Sequence, residues 1–518
     1  MKKKLFILFA VLAVSVLFVL TCGDESSNQN PNSQKPGVEL PEYPVISLNE
    51  VEHEFQKWAL TPPMGWNSYD CFGTNVTEAQ VKATAKFMKD NLLKHGWEYV
   101  IVDARWFVSS QVNGGYIGGQ PNVPSEVLDA FVLDEWGRYL PAVNKFPSAK
   151  GGAGFKPLVD HIHSLGLKFG LHIMRGIPKL AVTQNYPVKG ANGITANMIH
   201  TTASGQQCTW LNENWAIDTS KPGAQEYYNS LFELFAEWGV DYVKIDDISR
   251  PYQTADVEMV RNAINKTGRK IVLSLSPGST PTGSAEHAKN HANMWRTIDD
   301  FWDRWGDVAF LLDESGKWAP HIGYGHFPDA DMIPLGYVSI TGHAGGPAQR
   351  PSRLTRNEQK FVMTLLTITR SPLMFGGDFT FRGESFTQEY HNFVLSFLTN
   401  REAIYISKGS KNNRQLYNTR DTAAWAADDI MSGDVFLALF YPDTDRPGHA
   451  QHGTGYPYED DVKPPRVFNV NLEELGFTGN VKIRNVWKKE DAGVFSGTDF
   501  APEIKFHGAE LYRLSPVN

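Results

Sequence analysis

The sequence predicts an α/β chain: a parallel (β/α)8 TIM barrel followed by a C-terminal antiparallel β-sandwich domain. Three observations carry that expectation. From Thr61 to about Ile406, short apolar segments alternate with helical stretches eight times, the rhythm of a closed parallel barrel. Several of those apolar segments end in carboxylates, where a barrel gathers its reactive groups. After Ile406 the helical periods stop, and short β segments separated by Gly, Pro and Asp take over. We therefore place the barrel at 46–406 and the β domain at 407–518. The 518 residues, 42% hydrophobic and 20% charged, are enough for a large core. A net charge of -8 argues against a nucleic-acid partner. Three cysteines, Cys22, Cys71 and Cys208, are too few for a disulfide scaffold and lack metal-binding spacing.

The N-terminus reads as an export segment. Lys2, Lys3 and Lys4 precede an apolar run over 5–20, and Leu20-Thr21-Cys22 follows. This resembles a bacterial lipoprotein signal over 1–22, with Cys22 as the lipidated residue, although Thr21 stands where a smaller residue is usual. Residues 23–45, rich in Asn, Ser and Pro, read as a disordered tether. The expected location is outer-membrane lipoprotein, periplasmic or surface-facing, with membrane contact only through the anchor.

The barrel elements follow in order. Residues 64–69 form a first strand candidate. Thr77 with Gln80 marks a capping box opening a helix that ends near Gly96. The second strand, 99–106, contains Asp103. A helix over 155–165 leads to a third strand at 168–174. Pro222 opens a helix to Trp238, and Gly239 stops it. The fourth strand, 240–245, runs into Asp246 and Asp247. A helix from Thr254 stops at Gly268, before a fifth strand at 271–276. The sixth candidate, from Asn293, delivers Asp299 and Asp300. Residues 326–332 make a poor strand where the seventh belongs. Thr355 with Glu358 caps a helix to Arg370, and 372–378 is the eighth. In the β domain, segments 434–441, 466–472, 481–487 and 504–514 read as strands.

Within this frame the stretch Val240 to Asp247 stands out. It is a buried strand with Lys244 on it and two acids at its C-terminal end. An aspartate two residues after a lysine is held ionised by the ammonium, as a glycosidase nucleophile must be; taken alone, it equally fits a pair capping the next helix. Asp103, Asp246, Asp247, Asp299, Asp300 and Asp331 all fall where a barrel would bring them together. Converging acids with one Lys and one Arg suit a divalent metal or a sugar. Only His172 and His326 offer themselves as histidine ligands there, so metal is the weaker reading and no metal or other cofactor is expected.

The segments TPPMGWNSY, YVIVDARW, GLKFGLHI, GVDYVKIDD, WRTIDD, PDADMIPLG, LTRNEQ and SPLMFGGD, in this order from Thr61 to about Ile406, resemble glycoside hydrolase family 27. This is the family of α-galactosidases and α-N-acetylgalactosaminidases, and the β domain fits its usual second domain. The resemblance implies a retaining hydrolase without a cofactor. Asp246 maps onto the nucleophile and Asp300 onto the general acid/base, with Asp299 a competitor for the second role. Lys244, Arg296 and Asp103 map onto contacts to sugar hydroxyls, Asp331 and Met332 onto a pocket-lining pair, and Trp66 onto a wall of the site. Asp300 is expected to be partly buried beside other carboxylates, so that it keeps its proton near neutral pH.

The chain also departs from the family. Ala104 stands where a second acid usually contacts the O4/O6 side of galactose. Tyr69 replaces a common Trp and His172 a common Tyr, and Ser276 lies near a position that is Glu in galactosidases and Ser in N-acetylgalactosaminidases. The expected substrate is a terminal α-D-galactoside on an oligo- or polysaccharide. The alternatives are an α-N-acetylgalactosaminide, on Ser276, and a β-L-arabinopyranoside, on Ala104. A non-catalytic surface glycan-binding lipoprotein on the same fold is the reading from another class.

Overall fold

The structure is a computed structural model and describes residues 46, 51–109, 131–211, 213–339, 350–380, 387–443 and 463–517. The expected export segment, the expected tether and Cys22 lie outside the described residues. Among the described residues, nine short strands make one parallel sheet: β1 (Met64–Asn67), β2 (Tyr99–Val102), β3 (Lys168–Met174), β4 (Tyr242–Asp246), β5 (Val272–Leu275), β6 (Met294–Arg296), β7 (Phe327–Asp329), β8 (Met332–Ile333) and β9 (Leu373–Phe375). Their spatial order is β7-β6-β5-β4-β3-β2-β1-β9-β8. Only Ala330 and Asp331 separate β7 from β8, and Asp331 has a left-handed φ of 80°. The first half pairs with β6 and the second with β9, so one interrupted stave joins both edges of the sheet and closes it. Counted this way there are eight staves, a (β/α)8 TIM barrel. The expected seventh strand is poor because Pro328 lacks an N–H and Asp331 breaks the extended backbone.

Both faces of these strands are covered, which is why they read as unbroken apolar runs. The period of two then sorts their side chains. Val100, Val102, Phe169, Leu171, Val243, Ile245, Leu273, Leu275 and Trp295 join the large core that also holds the surrounding helices. Tyr99, Ile101, Tyr242, Val272, Met294, Phe327, Met332 and Met374 share a second cluster that fills the barrel. Gly65 is required at one close approach: a Cβ there would lie 2.4 Å from the Tyr99 carbonyl oxygen.

Several elements depart from the expected spans. The sixth strand stops at Arg296, so Asp299 and Asp300 lie in the loop beyond the sheet. The first stops at Asn67, and Tyr69 begins a short helical turn, Tyr69–Phe72. Between β3 and the helix Ala224–Trp238 the chain inserts a small three-stranded sheet, Ile177–Pro178, Asn214–Ile217 and His200–Thr201, whose short strands carry no periodicity. Both capping boxes form: Thr77 at the head of Glu78–Asn91, and Thr355 at the head of Arg356–Ile368. Cys71 and Cys208 are buried free thiols.

The C-terminal part is an antiparallel β-sandwich domain. Its larger sheet orders Ser410–Asn418, Ala423–Asp429, Val435–Phe440, Ala509–Pro516, Val481–Asn485 and Glu490–Phe495; a smaller sheet pairs Arg466–Val467 with Glu503–Ile504. The first two strands were not expected from sequence, because SKNNRQLYN and AAWAADD carry little β-branched or aromatic alternation.

Candidate active site

The inward face of the barrel turns from apolar to charged toward the C-terminal ends of the strands. Tyr242, Lys244 and Asp246 follow one another on the inward side of β4, and His172 on β3 stands in register beside Lys244. A pocket of about 370 Å³ opens there, lined among others by Asp103, His172, Lys244, Asp246, Ser276 and Asp300. Tyr69 and Met332 complete the set of expected residues that reach it.

Asp103 and Lys244 form the floor. Lys244 Nζ donates to Asp103 Oδ2 at 3.1 Å, and Asn67 Nδ2 donates to the same oxygen at 2.7 Å. The Ala104 amide donates to Asp103 Oδ1 at 2.8 Å. Burial favours a neutral Asp103, but Lys244, His172 and these donors outweigh it and hold the carboxyl well below the usual range. Burial likewise opposes the Lys244 charge, while Asp103 and Asp331 push its pKa above the ordinary lysine value.

Asp246 is tuned in the same direction. Burial would raise its pKa, yet the hydrogen bond and charge of His172, then Lys244, then the Asp247 amide, bring it below the usual value. His172 Nε2 lies 3.1 Å from Asp246 Oδ2, and the Asp247 amide donates to Oδ1 at 2.7 Å. Asp246 is therefore ionised at neutral pH, so His172 Nε2 must carry the proton it shares. Asp247 turns away from the pocket: its left-handed φ of 65° aims the carboxylate at Arg175, 2.7 Å distant.

Arg296 organises the opposite wall. Its NH1 lies 2.9 Å from Asp331 Oδ1, and its NH2 donates to Asp300 Oδ1 at 3.2 Å. Asp331 Oδ2 accepts from the Phe301 amide at 2.9 Å, so this buried acid fixes both the arginine and the loop carrying Asp300. Neither Arg296 nor Asp331, both expected at the sugar, lines the pocket; the pair acts from behind Asp300. The Asp300 side chain is 58% exposed beside a guanidinium, whereas partial burial among carboxylates was expected. Asp299 also lines the pocket, but Arg250 NH1 donates to its Oδ2 at 2.7 Å. Gly278 keeps the β5 and β6 loops together, since a Cβ there would lie 1.5 Å from the Ile298 carbonyl oxygen.

Two expected residues sit elsewhere. Trp66 is fully buried, stands in register with Val100 on the helix-facing side of β1, and donates its Nε1 to the Gly377 carbonyl at 3.0 Å. It belongs to the core and is no wall of the site, because strand parity points Gly65 and Asn67 inward instead. His326 precedes β7 and so sits at the N-terminal end of the barrel, stacked on Trp295. The pocket also gains residues that sequence reasoning missed: Trp210, Leu211, Arg250, Pro277, Trp302 and Arg304. All come from loops without periodicity; the only available signal was Trp in a loop following a strand. Ala104 packs with Met174, Cys208 and Leu211 into an apolar cluster flanked by Tyr69 and Trp210.

An ionised, partly buried Asp246 facing the same cavity as a more exposed Asp300, with Lys244 and Asp103 as fixed polar contacts and Arg296 holding Asp300, suits the cleavage of a polyhydroxylated ring. The family model described as alpha galactosidase A matches residues 213–382, and that of the alpha galactosidase C-terminal beta sandwich domain matches 419–514. Alpha-galactosidase A of Cellvibrio japonicus is 24% identical over 91% of this chain and 96% of its own length. The alpha-N-acetylgalactosaminidase of Gallus gallus is 26% identical over 62% of this chain and 65% of its own. The crystal structure of a β-L-arabinopyranosidase of glycoside hydrolase family 27 from Geobacillus stearothermophilus superposes with a TM-score of 0.79 at 42% identity, covering 90% of this chain and 99% of that one. With that identity along nearly the whole of a family member, and with both domains matched, the chain belongs to glycoside hydrolase family 27 and is a glycoside hydrolase.

Proposed function

We propose that the chain is a retaining exo-glycosidase for terminal sugars of galacto configuration, cleaving α-D-galactosides and preferring β-L-arabinopyranosides. The two sugars share the configuration of C1 to C4; the arabinopyranoside lacks the hydroxymethyl group on C5. The observation that carries the preference is the apolar cluster of Ala104 with Met174, Cys208 and Leu211 at the rim of the pocket. In related hydrolases the position of Ala104 holds an acid toward O4 and O6. An apolar wall offers that hydroxyl no partner, so a sugar without it loses nothing and avoids burying an unpaired polar group. The 42% identity to a β-L-arabinopyranosidase supports the same preference.

In this reading Asp246 attacks C1 while Asp300 passes its proton to the glycosidic oxygen, which leaves as an alcohol. Asp300 then takes a proton from water, whose oxygen displaces the Asp246 ester at C1, so the anomeric configuration is kept. Lys244 and Asp103 hold ring hydroxyls, and Arg296 holds Asp300.

The experiment compares p-nitrophenyl β-L-arabinopyranoside, α-D-galactoside and α-D-N-acetylgalactosaminide with the wild type, Ala104→Asp and Asp246→Asn. The wild type should show its highest kcat/KM on the arabinopyranoside. Ala104→Asp should raise the galactoside relative to it by about ten- to a hundredfold, the worth of one charge-assisted hydrogen bond of roughly 1.5–3 kcal/mol. Asp246→Asn should abolish turnover of all three. A wild type fastest on the galactoside, with a ratio untouched by Ala104→Asp, overturns the preference; activity in Asp246→Asn overturns the nucleophile. The N-terminal pattern extends the proposal to an exported lipoprotein anchored through Cys22.

A further inference from the structure

Away from the pocket, two neighbouring helices bring a second group of reactive side chains together. His287 and His291 stand one turn apart on the helix Ala285–His291, and Glu258 faces them from the helix Thr254–Thr267. The two imidazoles stack with centroids 4.1 Å apart and planes 19° from parallel. His287 Nε2 lies 3.3 Å from Glu258 Oε1, and one ligand atom from each of the three residues falls within 4.8 Å of the others.

The hydrogen bonds behind these rings determine which nitrogens face the gap. His291 Nδ1 lies 2.8 Å from the His287 carbonyl oxygen. A carbonyl only accepts, so Nδ1 carries the hydrogen, and the lone pair of the neutral ring is on Nε2. His287 Nδ1 lies 2.9 Å from the Tyr252 hydroxyl, which can either donate or accept. When the hydroxyl accepts, Nδ1 carries the hydrogen and the second lone pair is also on Nε2, turned toward Glu258. Histidines that ligate metals characteristically give their other ring nitrogen to such a partner, which fixes tautomer and ring orientation. We propose that Glu258, His287 and His291 form a site for a single divalent transition-metal ion of the zinc type. Two imidazoles and one carboxylate are a donor set that zinc and cobalt accept, with water completing four-coordination. Glu258, the exposed member of the three, is the donor able to rotate toward an ion held by the two rings.

The ion fastens the two helices to each other. Through Tyr252 it also holds the turn in which Ser249 and Tyr252 form an isolated antiparallel bridge, and that turn carries Arg250 into the catalytic pocket. The site is thus a structural staple, outside the residues assigned to bond cleavage.

The test uses full-length protein without a histidine tag. Co2+ is titrated and followed by its visible absorption, then displaced with Zn2+, which such donors hold more tightly. One Co2+ per chain is expected, displaced by one Zn2+, together with a Tm raised by Zn2+. The double substitution His287→Ala/His291→Ala should abolish both effects, and Glu258→Gln should weaken binding by about tenfold or more. Far-UV circular dichroism of these variants serves as the folding control and should match that of the metal-free wild type. The site is refuted if the wild type takes up no Co2+ at millimolar concentration. Equal uptake by the double variant refutes it too.

Discussion

At the scale of single residues, the function rests on two aspartates that face one pocket from different surroundings. Asp246 is partly buried and yet ionised, and the first favourable contribution to that state is the hydrogen bond from His172. The sign of the consequence follows directly. A nucleophile whose pKa is lowered keeps its charge at low pH, and activity falls only as pH drops through that lowered value. His172→Phe keeps a ring of similar size but removes the donor, so burial regains the upper hand and the Asp246 carboxyl rises. The acid limb of the kcat/KM profile should therefore move to higher pH, and the alkaline limb should stay in place. An acid limb that does not move means that Lys244 and the Asp247 amide suffice. Asp331 on the other wall is the converse case: burial outweighs Arg296 and Lys244 and raises its carboxyl, while the same residue aims the guanidinium at Asp300.

At the scale of elements, what was legible in the sequence was whatever a local rule could express. Thr355 and Glu358 announced a capping box, and the structure builds it: Glu358 Oε2 accepts from the Thr355 amide at 2.9 Å, and Thr355 Oγ1 accepts from the Glu358 amide at 3.2 Å. Glu358 then uses its other oxygen, 2.8 Å from His507 Nδ1, to tie the helix Arg356–Ile368 to the β domain. Thr355→Ala should accordingly lower the unfolding free energy by about 0.5–2 kcal/mol. Urea melts of both proteins check this; an unchanged midpoint would mean that Glu358 is held by His507 alone. The Lys244–Asp246 spacing was legible for the same reason, because residues two apart on a strand share a face. Trp66 was not: β1 is buried on both faces, so its sequence has no alternation from which to read parity. Trp210 and Leu211 belong to an inserted loop with neither period nor cap, and the strand Ser410–Asn418 is polar enough to read as a turn.

At the scale of the whole molecule, the barrel and the β domain share one core. Nearly every side chain of the helix Arg356–Ile368 after its first residue is buried, a pattern expected of a helix enclosed on all sides rather than one lying on a barrel surface. The far side of that helix is covered by the larger β sheet: Trp425, Phe436, Phe440 and Leu511 belong to the same apolar cluster as Phe361, Leu365 and the barrel strands. Phe361 and Phe440 meet with ring centroids 4.8 Å apart, and Lys360 Nζ donates to Glu510 Oε1 at 2.6 Å. Removing the β domain would leave that face of the helix in water, at about 25 cal/mol for each Å² of apolar surface, against a net stability of only about 5–15 kcal/mol for a whole domain. A chain ending at residue 409 should therefore fail to accumulate as soluble, active protein, although every residue assigned to catalysis lies before that point. Soluble expression with measured aryl-glycoside turnover checks the expectation. A truncated chain that hydrolyses as fast as the full one would mean that the barrel completes its own core and that the shared cluster is only a contact between two independent folds.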